Sequence, residues 1–184
     1  MRGELPEPVR HVVDEYERHL SLERGLSAHT VRAYIGDAVS LLGSLRRPLA
    51  ELDLAALRAW LAAQRTAGAS RTTLARRSAA IRTFTAWAHR REHLPADPGA
   101  RLAAPRPHRT LPAVLNKDQA ADLLRASASG AAERDAVALR DHALLELLYA
   151  TGVRVSELCG LDVADVDLNS RVLRVLGKGA KERT

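Results

Sequence analysis

Cysteine is almost absent from this 184-residue chain, and its only thiol, Cys159, has no partner for an internal disulfide. The seven histidines and this cysteine form no cluster with the spacing of zinc ligands. No apolar run approaches the roughly 20 residues of a membrane-spanning helix, and residues 1–6 contain nothing like the apolar segment of a signal peptide. We therefore expect a cytoplasmic protein with no metal, no other cofactor and no membrane insertion.

Aromatic residues are also scarce, at 3%, so we expect aliphatic side chains and alanine to fill the core. Lysine is rarer still, because all but three of the 28 basic residues are arginine. The formal net charge is +6. The planar guanidinium of arginine binds phosphate in a bidentate manner, so the excess predicts a phosphate-rich partner, of which nucleic acid is the commonest.

The charge and the prolines divide the chain. Residues 1–108 carry 17 basic and 11 acidic side chains, whereas residues 109–184 carry 11 of each. Several prolines fall within residues 95–112, and proline both fixes φ and removes a hydrogen-bond donor. We therefore predict a first domain over residues 1–96, a linker over 97–115 and a second domain over 116–184.

Helical periodicity dominates the first domain. Apolar residues recur at helical spacing from Val9 to Arg24, and Ser27 is a good N-cap for a second helix. A third helix is expected to open at or near Asp53, and a fourth to run from Ser70 to about Arg91. Short loops between four helices predict a compact bundle.

The second domain begins with helices and then changes period. We predict helices over 117–128 and 136–149, the latter ended by Gly152, and a short helix over 155–159. Residues 172–176 are β-branched and apolar and predict one strand, followed by a turn at 177–179 and a returning strand over 181–184. The helix faces expected to point inward carry Ala120, Leu123, Leu124, Leu139, Ala143, Leu144, Leu147 and Leu148.

The fourth helix is strongly basic, with six arginines and no acidic residue between Ser70 and Arg91. No i,i+4 ion pair is possible within it, which favours arginines that are free to meet phosphates over a solvated, ion-paired surface. Arg77 lies near the apolar edge and is predicted to be structural. Thr30 and Arg32, on the second helix, are a further candidate contact or simply exposed surface. The predicted buried side carries Leu74, Ile81, Phe84 and Ala88, and the outward side carries Thr72, Arg76, Ala79, Thr83, Ala86 and Arg90.

The most informative segment is residues 149–158, in which a Gly152 turn delivers Arg154 to the start of a short helix. An arginine there can hold an anion near a helix N-terminus. Glu157, three residues on, is placed to orient that guanidinium or to cap the helix, and a plain surface ion pair is the alternative. Lys178, between two glycines at the predicted hairpin tip, could donate a proton to a leaving oxygen, although by itself it indicates only a polar turn.

Taken together, these segments resemble the tyrosine recombinase (phage-integrase-like) family, and in particular its Xer branch. Residues 150–158 resemble the segment that carries the family's first catalytic arginine, and residues 177–183 its lysine hairpin. Residues 26–34 resemble its first DNA-clamping helix, residues 70–77 the start of the last helix of its core-binding domain, and residues 97–98 with 109–112 its interdomain segment. The resemblance covers nearly the whole chain.

The resemblance implies a mainly α fold, with an N-terminal four-helix core-binding (SAM-like) domain that clamps DNA. It is followed by the start of an α+β tyrosine-recombinase catalytic domain, truncated in its first β-hairpin. It also implies strand cleavage and rejoining through a 3′-phosphotyrosyl intermediate, without ATP or metal, for chromosome dimer resolution. The partners implied are a double-stranded DNA recombination site and an XerD-like recombinase, in a heterotetramer on two DNA sites.

Residue by residue, the resemblance makes Arg154 the arginine that holds the non-bridging phosphate oxygens and Lys178 the lysine that protonates the leaving 5′-oxygen. Together with the basic helix, it gives a set of candidate DNA-binding residues. That set is Thr30, Arg32, Arg71, Thr72, Arg76, Thr83, Arg90, Lys181 and Arg183.

The family's nucleophilic tyrosine and its His-x-x-Arg motif have no counterpart here. Tyr16, Tyr34 and Tyr149 fall on helix faces and are expected to belong to the core, and every histidine precedes Arg154. We therefore expect a DNA-binding fragment of a longer recombinase that cannot cleave DNA alone. Two alternatives stay open, a non-catalytic DNA-binding module of the same fold and a structural helical bundle with an incidental basic face.

Overall fold

The computed structural model describes residues 2–45, 47–104, 111–132, 135–177 and 182–184. The chain divides into two compact units, Met1–Thr110 and Leu111–Thr184, and each is described by itself.

The first unit is built from four helices, α1 (Glu7–Arg18), α2 (Ala28–Ser44), α3 (Leu54–Thr66) and α4 (Arg71–Arg90). Three of them begin where the sequence predicts, because a polar side chain there accepts a hydrogen bond from a first-turn N–H. The predicted four-helix bundle is confirmed. The N–H donors and cap oxygens are Thr30 to Ser27 at 3.4 Å, Ala56 to Asp53 at 2.8 Å and Thr73 to Ser70 at 3.1 Å.

The periodicity predicts a first helix that is continuous to Arg24, and the structure contradicts this prediction. α1 ends at Arg18, and His19–Glu23 form a π-helical turn that the N–H of Arg24 closes on the carbonyl of His19 at 3.0 Å. A π turn holds one more residue than an α turn, so it changes the direction in which the following side chains point. Both His19 and Leu20, the first two residues of this turn, are buried.

Aliphatic side chains and alanine form most of the core of the first unit, as expected, and three aromatic rings lie together within it. The ring of Tyr16 lies 5.1 Å from that of Phe84 and 4.9 Å from that of Trp87, centroid to centroid, and all three side chains are buried. Burial raises the pKa of the Tyr16 phenol well above its usual range. Three of the six aromatic residues are thus packed between α1 and α4, and aliphatic side chains surround them.

A tight turn, Pro98–Arg101, packs directly on α4. A Cβ at Gly99 would lie 2.1 Å from Oγ1 of Thr85 and 3.1 Å from Cα of Arg82, so only glycine fits there. The N–H of Gly99 donates to Oδ1 of Asp97 at 2.9 Å. This close approach holds the turn beside the middle of α4.

The second unit begins with α5 (Lys117–Ala131), α6 (Ala136–Thr151) and α7 (Val155–Leu158). Asn116 caps α5, and Gly152 ends α6 with φ +63°. The expected inward positions Leu123 and Leu139 are instead 44% and 47% exposed, Ala143 is also exposed, and Tyr149 is 59% exposed. α5 and α6 pack against each other, and one helix can cover only one stripe of its neighbour, so these side chains stay uncovered in the described part of this unit.

The prediction of one strand over residues 172–176 is wrong, because the structure has two short strands in this segment. β1 (Val166–Asp167) pairs antiparallel with β2 (Val172–Leu173), and β3 (Val175–Leu176) with β4 (Glu182–Arg183). Between β2 and β3 the N–H of Arg174 donates to the carbonyl of Asp165 at 2.9 Å, outside either ladder. The predicted returning strand is present as β4. The predicted fold class is confirmed, since the chain is mainly helical and its only described strands are short ones near residue 184.

Candidate nucleic-acid interface and Arg154 site

The two faces of α4 divide as predicted. Leu74, Ile81, Phe84 and Ala88 are buried. The outward positions are all exposed or half-buried; these are Thr72, Arg76, Ala79, Thr83, Ala86 and Arg90. Small residues at 79 and 86 leave room between the longer side chains for another molecule to approach the helix.

A cleft of about 520 Å³ opens on this face, and we call it the basic cleft. Arg82 and Arg90 of α4 lie along it, and Arg24 reaches it from the end of the π turn. The remaining lining residues are Ala79, Thr83, Ala86, Asp97 and Ala100. Of the sequence-predicted binding residues, the structure brings Thr83 and Arg90 together here.

Sequence reasoning missed two residues of the basic cleft, Arg24 and Arg82. Arg82 adjoins Thr83 and lies three residues after Ala79, so the outward stripe itself contained the signal. Arg24 had no such signal, because a continuous α-helix through residues 19–23 would give position 24 a different angle around the axis.

Arg24, Arg82 and Arg90 have no carboxylate oxygen within 4 Å among the residues that the structure describes. By contrast, the guanidinium of Arg91 lies 2.7 Å from Glu23, and that pair is on the surface. The carboxylate of Asp97 lines the cleft and accepts the N–H of Gly99. The basic cleft therefore presents three cations and one anion.

Arg76 is in a different situation, because it pairs with a carboxylate on α2. Its Nη1 lies 2.6 Å from Oδ2 of Asp37 and its Nη2 3.2 Å from Oδ1. The side chain of Asp37 is only 8% exposed. Arg77 lies 3.5 Å from the same carboxylate and donates to Gln64, in keeping with the structural role predicted for it. The inference that the arginines of residues 70–91 are free of ion pairs fails for Arg76, Arg77 and Arg91, since other segments supply the acids.

The other candidates in the first unit do not line the basic cleft. The hydroxyl of Thr30 lies 3.0 Å from that of Ser27, within the cap of α2. Arg32, Arg71 and Thr72 are exposed.

In the second unit, Arg154 immediately precedes α7, and Glu157 holds it in two ways. Oε2 of Glu157 accepts the backbone N–H of Arg154 at 2.8 Å, and Oε1 accepts Nη1 of its guanidinium at 2.8 Å. Capping and orientation, the two roles expected of Glu157, thus occur together. The side chain of Arg154 is 67% exposed, so it keeps donors free for an anion.

Arg183, on β4, donates Nη2 to Oε2 of Glu157 at 2.5 Å. The Glu157 side chain is 5% exposed and accepts from two arginines at once. The Arg154 N–H, and then the two guanidiniums, lower the pKa of Glu157 from 4.5 to about 2, although burial opposes this. The carboxylate is therefore ionised at neutral pH, and the three groups leave one net positive charge near the start of α7.

Lys178 and Lys181 lie outside the described residues. The described base of their hairpin, β3 and β4, adjoins α7 through the Arg183–Glu157 contact and through contact between β3 and α7. Over the described ranges we find no group of three or more metal-binding side chains, and no helix there is long and apolar enough to cross a membrane.

Two family models match this chain. Residues 13–92 match the phage integrase N-terminal SAM-like domain, and residues 113–184 match the phage integrase family. The chain belongs to the phage integrase family of tyrosine recombinases.

Within that family, the curated relatives include tyrosine recombinase XerC. The chain is 57% identical over 181 residues to XerC of Mycobacterium sp. (strain JLS), covering 96% of this chain and 60% of that protein. It is 56% identical over 176 residues to XerC of Mycobacterium leprae, covering 94% and 59%. The predicted similarity to the Xer branch is confirmed, and the chain spans about 60% of the length of these relatives.

Solved structures confirm the fold. A lambda integrase dimer bound to a COC′ core site has a TM-score of 0.71 at 19% identity and covers 94% of this chain and 60% of that one. A lambda integrase tetramer bound to a Holliday junction has a TM-score of 0.70 at 19% identity, covering 95% and 49%.

Proposed function

We propose that this chain binds double-stranded DNA through the basic cleft and the exposed residues beside it on α4. The observation that carries the proposal is the set of three arginines, 24, 82 and 90, without a carboxylate partner in the described structure. Unpaired guanidiniums beside small residues can meet phosphates while the helix approaches the duplex closely. Arg32, Arg71, Thr72 and Thr30 extend the candidate surface, and Arg76 contributes by holding α4 against α2.

We further propose that the chain acts as part of a site-specific tyrosine recombinase. Arg154 holds the non-bridging oxygens of the scissile phosphate, and Lys178 protonates the leaving 5′-oxygen. A tyrosine forms the 3′-phosphotyrosyl bond, and a 5′-hydroxyl later displaces it, so the phosphodiester energy is conserved and no metal or ATP is consumed. The exposed guanidinium of Arg154, fixed by an ionised Glu157, supports the first of these roles, because a preorganised cation stabilises charge that develops on phosphate.

Similarity to XerC supports a cytoplasmic role in resolving chromosome dimers, with an XerD-like partner. The lambda integrase structures, a dimer on a core site and a tetramer on a Holliday junction, support an assembly of four protomers on two DNA sites. Lys181 and Arg183 belong to the hairpin that would face the cleaved strand.

We expect this chain alone to form no covalent adduct with DNA. Tyr16 is fully buried with a raised pKa, and Tyr34 is half-buried. Tyr149 is exposed but lies on α6, five residues before Arg154, and the family motif gives no nucleophile there. The test incubates the chain with suicide substrates carrying candidate recombination sites and separates the products under denaturing conditions. A phosphotyrosyl adduct would contradict the expectation, and the Tyr149→Phe variant would then show whether Tyr149 is responsible.

DNA binding itself is tested by fluorescence anisotropy with labelled duplexes at increasing salt. The logarithm of the affinity should fall by about 0.9 per phosphate contact for each tenfold rise in salt. A flat or absent response would favour the structural helical bundle. A second experiment adds the C-terminal segment of the XerC relatives that this chain does not cover. Steep salt dependence together with no covalent adduct in that mixture would favour the non-catalytic module.

A further inference from the structure

A single buried carboxylate joins two segments of the second unit. Glu157 accepts Arg154 from its own helix start, and Arg183 from β4, 26 residues further along the chain. Arg183 is 48% exposed, yet its Nη2 is directed at a carboxylate that is 5% exposed. The described structure offers Glu157 no other side-chain donor.

We propose that Arg183 is a positioning residue, which fixes the guanidinium of Arg154 and the base of the β3–β4 hairpin to one carboxylate. The proposal rests on the phosphate-binding role given above to Arg154. It assigns Arg183 a role that differs from a direct DNA contact, because the arginine acts through Glu157.

The geometry makes the two arginines interdependent. Oε2 accepts both the Arg154 N–H and Nη2 of Arg183, while Oε1 accepts Nη1 of Arg154. Removing Arg183 leaves Oε2 with one donor, so the carboxylate can turn about its terminal bond and release Nη1. Arg154 then keeps its charge but loses the restraint that fixes its direction.

The same contact restrains the hairpin. Arg183 is opposite Val175 in the antiparallel ladder, and Val175 is buried at 4% exposure near α7. Lys178 lies between these two residues in the chain. Arg183 therefore anchors one strand of the hairpin that carries Lys178 to the carboxylate that holds Arg154. Apolar packing of Val175 and Leu158 does not depend on Arg183, so a substitution at 183 should leave the unit folded.

The test compares wild type, Arg183→Gln, Arg183→Lys and the control Arg125→Gln in the full 184-residue chain by NMR. Arg125 is an exposed arginine of the same unit that pairs with exposed Asp122, so its loss makes the same charge change elsewhere. The readouts are the titration of the Glu157 carboxyl carbon and the solvent exchange of the Arg154 Nη–H protons. The methyl shifts of Leu158 and Val175 report folding.

We expect Arg183→Gln to raise the pKa of Glu157 by about one unit and to speed exchange of the Arg154 Nη–H protons several-fold. Arg183→Lys should restore part of both effects, and Arg125→Gln neither. An unchanged Glu157 titration and Arg154 exchange in Arg183→Gln would overturn the proposal. The proposal would also be overturned if Arg183→Gln lowered the salt slope of DNA binding by about 1 while the Glu157 titration and the Arg154 exchange stayed unchanged. That result would mark Arg183 as a direct phosphate contact. Neither NMR readout requires DNA, so failure of the proposed function, seen as absent DNA binding by wild type, is a separate result.

Discussion

Arg76 and Arg82 lie six residues apart on α4 and are chemically identical, but the structure gives them opposite tasks. Arg76 makes two hydrogen bonds to buried Asp37, whereas Arg82 lines the basic cleft without a carboxylate partner in the described structure. Replacing each with alanine removes the same charge. We expect Arg76→Ala to reduce stability and to leave the salt dependence of DNA binding unchanged. We expect Arg82→Ala to leave stability nearly unchanged and to weaken that salt dependence.

The magnitudes follow from burial. Removing one partner of a buried ion pair costs about 3–5 kcal/mol. Arg76 is 45% exposed, and Arg77 stays 3.5 Å from Asp37. We therefore expect Arg76→Ala to lower the free energy of unfolding by only about 2 kcal/mol. In a domain of roughly 100 residues, that lowers Tm by about 8–16 °C. Arg82→Ala should stay within about 0.5 kcal/mol of wild type. Its lost phosphate contact should lower the salt slope by about 0.9, equivalent to a roughly 3.5-fold smaller change in affinity between 50 and 200 mM salt.

The assays are thermal denaturation by circular dichroism, and fluorescence anisotropy at 10 °C, where both variants are folded. The Asp37→Ala and Arg76→Ala double variant provides the control, because its destabilisation should be smaller than the sum of the two single changes. Equal losses of salt slope in the two arginine variants would refute the division of tasks. A stable Arg76→Ala protein would refute the energetic argument.

Two further predictions concern packing and pH. Gly99→Ala should destabilise the first unit by about 1–3 kcal/mol, because the new methyl group would overlap Oγ1 of Thr85. Urea denaturation measures this loss of stability. The control is Ala100→Gly, at the next residue, which is exposed. Because the folded pKa of Glu157 is depressed to about 2, its stabilising contribution is complete above its ordinary value of 4.5 and is lost as pH falls through 2. Amide exchange of α7 between pH 5 and 2 should show this loss, and Glu157→Gln should lack that pH dependence; a wild-type profile that matched the variant's would contradict the argument.

The elements that sequence predicted well are those fixed by neighbouring residues. The N-caps of α2, α3 and α4 each need only a side-chain oxygen and an N–H three residues away, and the C-terminal turn of α6 needs only a glycine. The Arg154–Glu157 pair is local in the same way. Family resemblance then gave the domain type, which periodicity alone could not distinguish from other helical bundles.

What sequence could not provide is the pairing of residues far apart in the chain. Asp37 and Arg76 are separated by 39 positions, and Glu157 and Arg183 by 26. From the sequence, the arginines of a basic helix without internal acids all appear equally free to bind phosphate. In the structure, Asp37 of α2 pairs with two of them, and Glu23 of the π turn pairs with Arg91 just after the helix. The break in the predicted strand has a similar origin, because the carbonyl that accepts the Arg174 N–H belongs to residue 165.

The π turn at His19–Glu23 makes helix winding, rather than amino-acid composition, a determinant of surface charge. Rewinding the same five residues as an ordinary α-helix would rotate position 24 by roughly 100°. A cation would then leave the basic cleft although no arginine had been replaced. A deletion of one residue would cancel that rotation, because the fifth residue along a π turn takes the place of the fourth residue along an α turn. Homologues of equal length that wind this segment as an α-helix would therefore present a different electrostatic surface on the same bundle, whereas homologues one residue shorter would present the same surface.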